Sequence, residues 1–341
     1  MQKFSLIFKK IYTLLHREKI DKILFFIIIV LLAGSLLLNF FEKNINFYDA
    51  AWWSIVTMAT VGYGDISPES AGGRAVAVFV MFSGIGVLGI LTASVASIFI
   101  ENKFMEKKGM KQTDLSDHFI ICGWNFRGRT IISEMREDPE SKNVPIVIIA
   151  DIDEKPDERD FVFFIHGDID TDSLAKANAE KARAVIVLSD EGLGSYERDA
   201  KTILNTMTIK TVAPDLYTCV ELMDAKNMTH CQMAKADEII VVGELSTNLL
   251  VQAALDHGIT RLVSELVSNQ YGQELYKIEI PSYLVGNTFF QAMCQLKKEK
   301  NIICIGIEDK TGSSLMANPE NSYILKKEDQ IIAIALDRPE L

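Results

Sequence analysis

Residues 60–65, with the sequence TVGYGD, are the part of this 341-residue chain whose residue types and spacing indicate the most specific chemistry. A pore that removes water from K⁺ must replace the hydration shell with oxygen atoms, and rings of backbone carbonyls provide such a stack. The two glycines allow backbone angles that a Cβ would forbid, so every carbonyl can turn inward. With four chains around one axis, the segment predicts a potassium selectivity filter built from Thr60, Val61, Gly62, Tyr63, Gly64 and Asp65.

Two uncharged apolar runs flank the predicted filter, at residues 23–40 and 75–100. As an α-helix the first run spans about 27 Å, which is close to the hydrocarbon thickness of a bilayer. We expect both runs to be transmembrane helices, because a helix satisfies its backbone hydrogen bonds internally. A cleaved signal peptide is the alternative for the first run, but such peptides have a shorter apolar stretch.

The segment between the two runs is too apolar for an ordinary loop and too polar to cross a membrane. Residues 47–58 predict a short helix that leads into the filter, so a pore module is expected over 23–100, with pore helix and filter at 47–65. Basic residues precede the first run and follow the second, whereas only Lys43 and Arg74 lie between them. The positive-inside rule therefore predicts a multi-pass protein of the plasma (inner) membrane with both termini in the cytoplasm, including segment 1–22.

Residues 20–100 resemble the pore module of two-transmembrane potassium channels, because TVGYGD lies between a short aromatic helix and an uncharged span. The resemblance implies that K⁺ is the permeant ion. It also implies that Trp52 and Trp53 support Tyr63 and Asp65 behind the filter. Anchoring of the two tryptophans at the membrane interface is the alternative.

The second apolar run contains Gly84, Gly86 and Gly89. Glycine costs about 1 kcal/mol relative to alanine inside a helix, so three glycines require an explanation. Close packing against another helix is one explanation. A gating hinge is the other, and the resemblance to potassium channels implies a hinge at Gly84. The sequence has no row of arginines typical of a voltage sensor, so we expect the remainder of the chain to control the gate.

The charge distribution separates the membrane part from the rest of the chain. Residues 1–111 contain 12 Lys/Arg and 8 Asp/Glu, whereas the remaining residues contain 23 and 38. This acidic second part argues against nucleic-acid binding, which requires cations to neutralise phosphates. The five cysteines show no CxxC spacing, so neither a disulfide framework nor a zinc site is expected.

From residue 116 onward, short apolar runs alternate with helical stretches, which predicts a doubly wound, mostly parallel sheet. The first run is followed by GWNFRG at 123–128, a GxGxxG variant with asparagine in the middle. Such a turn at a helix N-terminus presents N–H groups and the positive end of the helix dipole to a phosphate. Asp151 ends the second run, where an acidic residue commonly binds a ribose hydroxyl.

This pattern predicts a nucleotide site. Asp168 follows the third run, at a strand end where ligands of such sheets bind; a plain turn residue is the alternative for it, and its place in a nucleotide pocket is implied by the resemblance described below. The predicted nucleotide-binding residues are Gly123, Asn125, Arg127, Gly128, Arg129, Asp151 and Asp168. A vestigial pocket is the alternative, because the middle glycine that admits a pyrophosphate is missing.

Residues 116–341 resemble the RCK domain, also called KTN, that regulates potassium channels and transporters. The turn at Gly123, the acid at Asp151, the pair Gly167-Asp168 and the small-lobe segments between 285 and 335 carry this resemblance. We therefore expect a membrane all-α pore module, with two transmembrane helices plus a pore helix, joined to a cytosolic α/β Rossmann-like RCK domain with a small α+β C-terminal lobe. The predicted boundaries are a linker at 101–115, an N-lobe at 116–245, crossover helices for dimerisation at 246–275 and a C-lobe at 276–341.

The RCK resemblance also implies partners. It implies a homotetramer of pores and an octameric ring of RCK domains, in which separate soluble copies can supply half of the ring. Met105 and Met110 lie where an internal start could produce such copies, although methionines in a linker are usually incidental.

By the same resemblance, an adenine nucleotide (NAD, ADP or ATP) is the leading gating ligand and Ca²⁺ is the second candidate. Asp170 and Asp172 resemble the start of a calcium loop, but the downstream glycine and glutamate are missing at the required spacing. A sensor of divalent cations alone, with a vestigial nucleotide pocket, is an alternative.

Two other classes of protein share parts of this sequence pattern. A membrane-anchored, NAD-dependent oxidoreductase would use the same turn, but no histidine shows the partner pattern of a catalytic acid or base. A potassium transporter subunit would need several filter segments in one chain. We therefore expect a channel without enzymatic activity, in which the ligand favours one arrangement of paired lobes and the linker pulls the second span open at Gly84.

Overall fold

The computed structural model describes residues 20–309 and 314–339 of the chain. Most of the predicted N-terminal segment, residues 1–19, lies outside the described residues. The chain divides into two compact units, Met1–Met105 and Glu106–Leu341. Each unit has its own hydrophobic core, as expected for a membrane part and a separate regulatory part.

The first unit is built from helices α1 (Ile20–Phe41), α2 (Phe47–Met58) and most of α3 (Ala71–Lys107). Helices α1 and α3 are long and apolar enough to cross a membrane. Helix α2 begins after Asn46, whose side chain accepts a hydrogen bond from the N–H of Asp49 at 2.9 Å. The three helices bury a common set of side chains, which includes Val30, Leu38, Ala50, Trp53, Met58, Val76, Ala77, Val80 and Val87.

Helix α3 extends past residue 100, where the second span was predicted to end, and ends at Lys107. The first half of the predicted linker, 101–115, is therefore helical and not an irregular tether. The residues ENKFMEK contain the strong helix formers Glu, Lys and Met, which the prediction treated only as polar. The helix ends where Gly109 adopts a positive φ of 65°.

The second unit begins with a six-stranded parallel sheet in the order β3-β2-β1-β4-β5-β6. The strand order runs outward in one direction from β1 to β3 and in the other direction from β4 to β6. The boundary between β1 and β4 is therefore the switch point at which doubly wound sheets bind ligands. The strands are β1 (Phe119–Cys122), β2 (Ile146–Ala150), β3 (Val162–His166), β4 (Ala184–Val187), β5 (Tyr217–Leu222) and β6 (Glu238–Val241).

Helices connect most of these strands, whereas a loop at 151–161 joins β2 to β3. The strands are almost continuously apolar, as expected for a parallel sheet with both faces covered. All five residues of β2 are buried. The connecting helices are α4 (Gly128–Glu137), α5 (Thr171–Lys176), α6 (Ser195–Val212) and α7 (Met228–Met233), with short 3₁₀ turns at Ala179–Lys181 and Ala225–Asn227.

The chain then forms two helices, α8 (Val242–Leu255) and α9 (Ile259–Leu266), joined at Gly258. Helix α8 begins four residues before position 246, where the crossover helices were predicted to start, because it continues directly from β6.

A separate antiparallel sheet completes the chain, in the order β7-β10-β8-β9. Its elements are β7 (Glu274–Glu279), α10 (Phe289–Lys300), β8 (Ile303–Glu308), β9 (Leu315–Ala317) and β10 (Gln330–Ala335). Thr288 and Gln291 form a capping box at the start of α10. The predicted fold class, an all-α membrane module followed by a Rossmann-like domain and a small mixed lobe, is confirmed.

Candidate functional site

The predicted filter directly follows helix α2 and has an alternating backbone. Thr60, Gly62 and Gly64 have φ angles of 59°, 56° and 75°, whereas φ is negative at Val61 and Tyr63. Alternation of left- and right-handed residues turns successive peptide groups to the same side of the chain. The carbonyls can therefore form the oxygen stack that a dehydrated K⁺ requires.

Thr60 carries the clearest strain in this segment. It is β-branched, and a non-glycine residue held in a sparsely populated region of this kind costs about 1–3 kcal/mol, which proteins retain mainly at functional sites. The adjoining backbone is anchored to α2, because the N–H groups of Val61 and Gly62 both donate to the carbonyl of Val56, at 3.0 and 3.3 Å.

Trp52 contacts the filter from α2. Its indole Nε1 donates a hydrogen bond to Oδ2 of Asp65 at 3.1 Å, and its ring stacks on Tyr63 with 6.1 Å between centroids. Trp53 is instead buried in the helix packing of the first unit, at 6 % exposure. Trp52 contacts Tyr63 and Asp65 directly, whereas Trp53 packs the core and lines a cavity together with the same two residues. Support of the filter by the two tryptophans stays a prediction.

Gly84 lies against the end of helix α2. A Cβ at this position would be 2.9 Å from both Cα and the carbonyl oxygen of Met58, which is too close for any side chain. A Cβ on Gly86 or Gly89 would meet no other part of the described residues within 4 Å, apart from the helix itself. Close packing therefore accounts for Gly84, and its role as a hinge stays a prediction because α3 is continuous there.

In the second unit, three of the predicted nucleotide-binding residues line one crevice at the carboxyl ends of the parallel strands. These are Gly123, Asp151 and Asp168, together with Trp124, Asp190 and Lys201. The crevice lies at the switch point of the sheet, where ligands of this fold class bind.

The glycines of the turn are both required by close approach. Gly123 has a φ of 83°, and a Cβ there would lie 3.0 Å from the carbonyl oxygen of Leu188. A Cβ on Gly128 would lie 2.6 Å from the ring of Trp124. The last glycine of the turn therefore makes room for the tryptophan ring that lines the crevice.

Asn125, the residue in place of the middle glycine, is buried and holds the turn together. Its Nδ2 donates to the carbonyl of Ser189 at 3.1 Å and lies 3.4 Å from Oε2 of Glu221, and its Oδ1 accepts from the N–H of Arg127 at 2.9 Å. The asparagine thus replaces backbone flexibility with a fixed hydrogen-bond network, and it does not line the crevice.

Arg127 and Arg129, predicted to add positive charge for a phosphate, are both engaged elsewhere. A guanidinium nitrogen of Arg127 lies 2.5 Å from Glu221 and 3.3 Å from Glu191. Arg129 donates to the carbonyl of Pro156 at 3.2 Å. Sequence reasoning missed Glu221, although an acidic residue inside an apolar strand is a signal of a buried partner.

Three buried polar atoms beside the turn have no hydrogen-bond partner among residues 20–309 and 314–339. They are Nε of Arg127, Oγ of Ser189 and Oε1 of Glu221, of which the last forms an ion pair with Nη2 of Arg127 at 2.5 Å. Buried polar groups in proteins are nearly always paired, so these atoms could accept a water molecule or a polar ligand only after the side chains around them move.

Lys201 is the basic residue of the crevice, and the sequence did not reveal it because it lies on α6, far from the turn. Its Nζ lies 2.9 Å from Asp190 and 3.9 Å from Asp168. The hydrogen bond from Lys201 lowers the pKa of the Asp190 carboxyl, and the same bond raises the pKa of Lys201. Next to the crevice, His166 Nε2 lies 3.6 Å from Asp151 Oδ1. The crevice therefore carries more carboxylates than cations.

Asp170 and Asp172, the predicted calcium ligands, are used by helix α5. Asp170 is its N-cap and accepts the N–H of Ser173 at 2.8 Å, which lowers the pKa of the carboxyl. Asp172 pairs with Lys176 at 2.6 Å. Within the part of the chain that the structure describes, no group of three or more His, Cys, Asp or Glu side chains is arranged to hold a metal ion.

Three family models match consecutive parts of the chain. An ion-channel model covers residues 23–101, and a TrkA-N domain model covers residues 119–242. A third model, described as Castor and Pollux, part of voltage-gated ion channel, covers residues 233–340. The fold and the filter thus define a membrane channel with two transmembrane helices and a Rossmann-like regulatory domain.

The relatives of the chain make this class more specific. The calcium-gated potassium channel TvoK of Thermoplasma volcanium is 30 % identical over 342 residues, covering 97 % of this chain and 96 % of TvoK. Potassium channel protein 1 of Methanocaldococcus jannaschii is 28 % identical, covering 88 % of this chain and 86 % of that protein. The chain belongs to this family of prokaryotic potassium channels with an RCK domain.

A solved structure supports the fold of the second unit. The human SLO3 gating ring matches with a TM-score of 0.52 at 18 % identity, covering 64 % of this chain. The match covers 44 % of the SLO3 chain, so the present chain spans less than half of it. Since its matched relatives are ion channels, the oxidoreductase alternative is wrong.

Proposed function

We propose that this potassium channel is gated by an adenine nucleotide, such as NAD, ADP or ATP, bound in the crevice of the second unit. The observation that carries the proposal is the joint placement of Gly123, Asp151 and Lys201 in one crevice at the switch point of the sheet. Asp151 is exposed at the end of β2 and is available to a ribose hydroxyl. Lys201 supplies a cation for a phosphate.

The unpartnered atoms beside the turn bear on how a phosphate would bind. Nε of Arg127 and Oγ of Ser189 have no hydrogen-bond partner in the described ranges, but neither residue lines the crevice, so a phosphate would reach them only if the turn rearranges. To bind a phosphate more strongly, Arg127 would exchange Glu221 for the ligand. The nucleotide would then contact Arg127 in the state where Arg127 has left Glu221, and not in the state where the two are paired. A ligand that binds one state more tightly than the other shifts the protein toward that state, as gating requires.

A divalent cation alone is the second candidate function. Asp151, Asp168 and Asp190 line the crevice, and carboxylate oxygens suit Ca²⁺, but the three would have to move closer together to share one ion. The relative TvoK is named as a calcium-gated channel. In this alternative the nucleotide pocket is vestigial, and Asp170 and Asp172 contribute only if they release the N-terminus of α5.

The assembly and orientation are also proposals. A homotetramer is needed to close the filter around an axis, because one chain supplies a single strip of carbonyls. Helices α8 and α9 expose apolar residues suited to pairing of RCK domains in an octameric ring, with or without separate soluble copies; these residues are Leu245, Leu250, Val251, Leu255 and Leu262. The basic residues around the two spans favour cytoplasmic termini.

A planar-bilayer measurement tests the proposed ligand. Purified channel would be exposed to K⁺ and Na⁺ gradients, with NAD, ADP, ATP and Ca²⁺ added one at a time to the side of the second unit. We expect K⁺-selective current that an adenine nucleotide changes, and loss of that change in Asp151→Ala. A current that responds to Ca²⁺ and to no nucleotide, with no nucleotide binding to the purified protein, would establish the divalent alternative instead.

A further inference from the structure

The end of helix α3 is fastened to the loop that follows β2. All of these residues belong to the second unit. Lys107 Nζ lies 2.9 Å from Glu154, and Lys108 Nζ lies 3.5 Å from the same carboxylate. Lys108 also donates to the carbonyl of Asp153 at 3.1 Å, and the N–H of Lys155 donates to the carbonyl of Lys107 at 2.8 Å. We call this set of contacts the junction.

Gly109 extends the junction to strand β3. Its carbonyl accepts the N–H of His166 at 3.1 Å. A Cβ on Gly109 would lie 2.3 Å from that same nitrogen, and the φ of 65° is itself unfavourable for other residues. The chain therefore approaches the edge strand so closely that only glycine fits.

The junction and the ligand crevice share the same two segments. The loop that binds Lys107 and Lys108 begins at Asp151, which lines the crevice. His166, whose backbone holds Gly109, has its imidazole 3.6 Å from the Asp151 carboxylate. A change at Asp151 is thus next to both attachment points of the helix end.

The segment between Gly109 and β1 is held by hydrogen bonds, so it cannot easily shift to accommodate a movement at Asp151. The N–H of Thr113 donates to the carbonyl of Lys176 at 2.9 Å, and Asn178 donates to the carbonyl of Leu115 at 2.6 Å. The segment between α3 and β1 is therefore fixed to the second unit at successive points. A mechanism in which a slack linker is pulled taut does not fit these contacts.

We propose that the junction is the coupling element of the channel: ligand contact at Asp151 shifts the loop at 151–155 and His166, and these move the end of helix α3 directly. This inference rests on the proposed function, because it assumes that the gating ligand binds at Asp151. Glu154, Lys107 and Lys108 are positioning residues that contact no ligand. The side-chain ion pairs are exposed, and weak contacts of this kind can exchange between two arrangements without unfolding the domain.

The contact between Lys107 and Glu154 shifts the pKa of both side chains. The hydrogen bond between them raises the pKa of Lys107 and lowers the pKa of Glu154. Both side chains are therefore charged at neutral pH, and a neutral replacement of Glu154 removes the partner of two lysines in one step.

The test uses the full channel in planar bilayers, with Glu154→Ala and a matched control, Glu180→Ala, which removes an exposed glutamate outside the junction. Nucleotide binding would be measured separately by calorimetry on the same purified variants. For Glu154→Ala we expect nucleotide affinity within about twofold of wild type, while the ratio of open probability with and without ligand falls about tenfold toward one. The resting open probability should also change. The control should match wild type in all three quantities.

Charge exchange provides a second variant that does not depend on loss of a side chain. Glu154→Lys combined with Lys107→Glu and Lys108→Glu should restore part of the ligand response that Glu154→Lys alone removes. A Glu154→Ala channel with wild-type response and wild-type resting open probability would overturn the proposed coupling.

A channel that no nucleotide affects, even in wild type, would refute the proposed ligand and not by itself the junction. The resting open probability of Glu154→Ala then decides: a change relative to Glu180→Ala supports the junction as the link between the sensor and the pore. An unchanged value overturns it.

Discussion

Arg127 Nη2 lies 2.5 Å from Oε1 of Glu221, so the cation next to the glycine-rich turn is already neutralised by a carboxylate of strand β5. The Glu221 side chain is 8 % exposed, and its other oxygen accepts the N–H of Ser189 at 3.0 Å. The pair thus ties the turn after β1 to the strands on the other side of the switch point, β4 and β5. The turn is therefore held in place by its contact with Glu221 of β5.

Replacement of Arg127 by alanine should destabilise the second unit. It leaves Glu221 without its cation in a mostly buried position, and the free energy of unfolding should fall by about 1–3 kcal/mol. Urea unfolding of the purified channel, followed by circular dichroism, measures this change. The double variant Arg127→Ala/Glu221→Gln should recover part of the loss, since it removes the unpaired charge. Equal stability of wild type and Arg127→Ala would contradict a structural role for the pair.

Asp151→Ala should weaken nucleotide binding. Hydrogen bonds to a charged group contribute about 1.5–3 kcal/mol, which corresponds to a loss of about 10- to 100-fold in affinity. Calorimetric titration with NAD and ADP provides the measurement. Asp153→Ala, in the same loop but outside the crevice, is the control and should retain wild-type affinity. Equal affinities of the two variants would remove Asp151 from the ligand site.

Trp52→Phe should shorten the conducting periods of single channels. The variant keeps an aromatic ring against Tyr63 but loses the indole donor to Asp65. Loss of one hydrogen bond of about 1–1.5 kcal/mol should shorten open bursts about tenfold in single-channel recordings. Tyr48→Phe, an exposed change on the same helix, should leave the bursts unaffected. Unchanged bursts in Trp52→Phe would show that the contact does not hold the filter.

Gly84→Ala distinguishes close packing from a hinge. The added Cβ would meet the backbone of Met58, and overpacking of this kind costs about 1–3 kcal/mol. The variant should therefore lower the thermal stability of the purified channel, whereas Gly86→Ala should not. A Gly84→Ala channel of wild-type stability that no longer opens would favour the hinge.

Asp170 should stabilise α5 in a pH-dependent way. Its carboxyl has a pKa below the ordinary value of 3.8, chiefly because the backbone N–H of Ser173 donates to it. The folded pKa is the lower one, so the stabilisation is complete above the unfolded pKa and is lost as the pH falls through the folded pKa. Asp170→Ala should cost about 1 kcal/mol near neutral pH, where Asp170→Asn, which can still cap the helix, should cost less.

The difference between wild type and Asp170→Ala should therefore shrink in acid, as measured by denaturant unfolding at several pH values. Asp170→Asn, together with Asp172→Ala, also tests the calcium prediction. A Ca²⁺ response that survives in both Asp170→Asn and Asp172→Ala would show that this acidic loop serves only the helix.

The parts of the molecule that could be predicted from the sequence are those set by local pattern. The filter follows from a specific hexapeptide, the two spans from charge-free length, and the parallel sheet from the spacing of apolar runs. Gly123, Asp151 and Asp168 line one crevice because the carboxyl ends of parallel strands meet at one edge, while their binding of a nucleotide stays a prediction.

The remaining features depend on residues that are distant in sequence. Lys201 and Glu221 reach the site from α6 and β5, and no local pattern connects them to the turn at 123–128. The linker was interpreted from its polarity, although its helix-forming composition determines its structure as far as Lys107. The contact of Glu154 with Lys107 and Lys108 is tertiary and could not be read from spacing.

The junction also has a consequence for biosynthesis. Lys108 and the carbonyl that it binds, at Asp153, are separated by 45 positions in the chain. A ribosome adds about 5–20 residues per second, so the loop emerges several seconds after the end of α3. Both membrane-spanning helices are therefore synthesised before the segment that contacts the end of α3. The hydrogen bonds of Lys108 to Asp153 and of Gly109 to His166 can form only after both helices have been made.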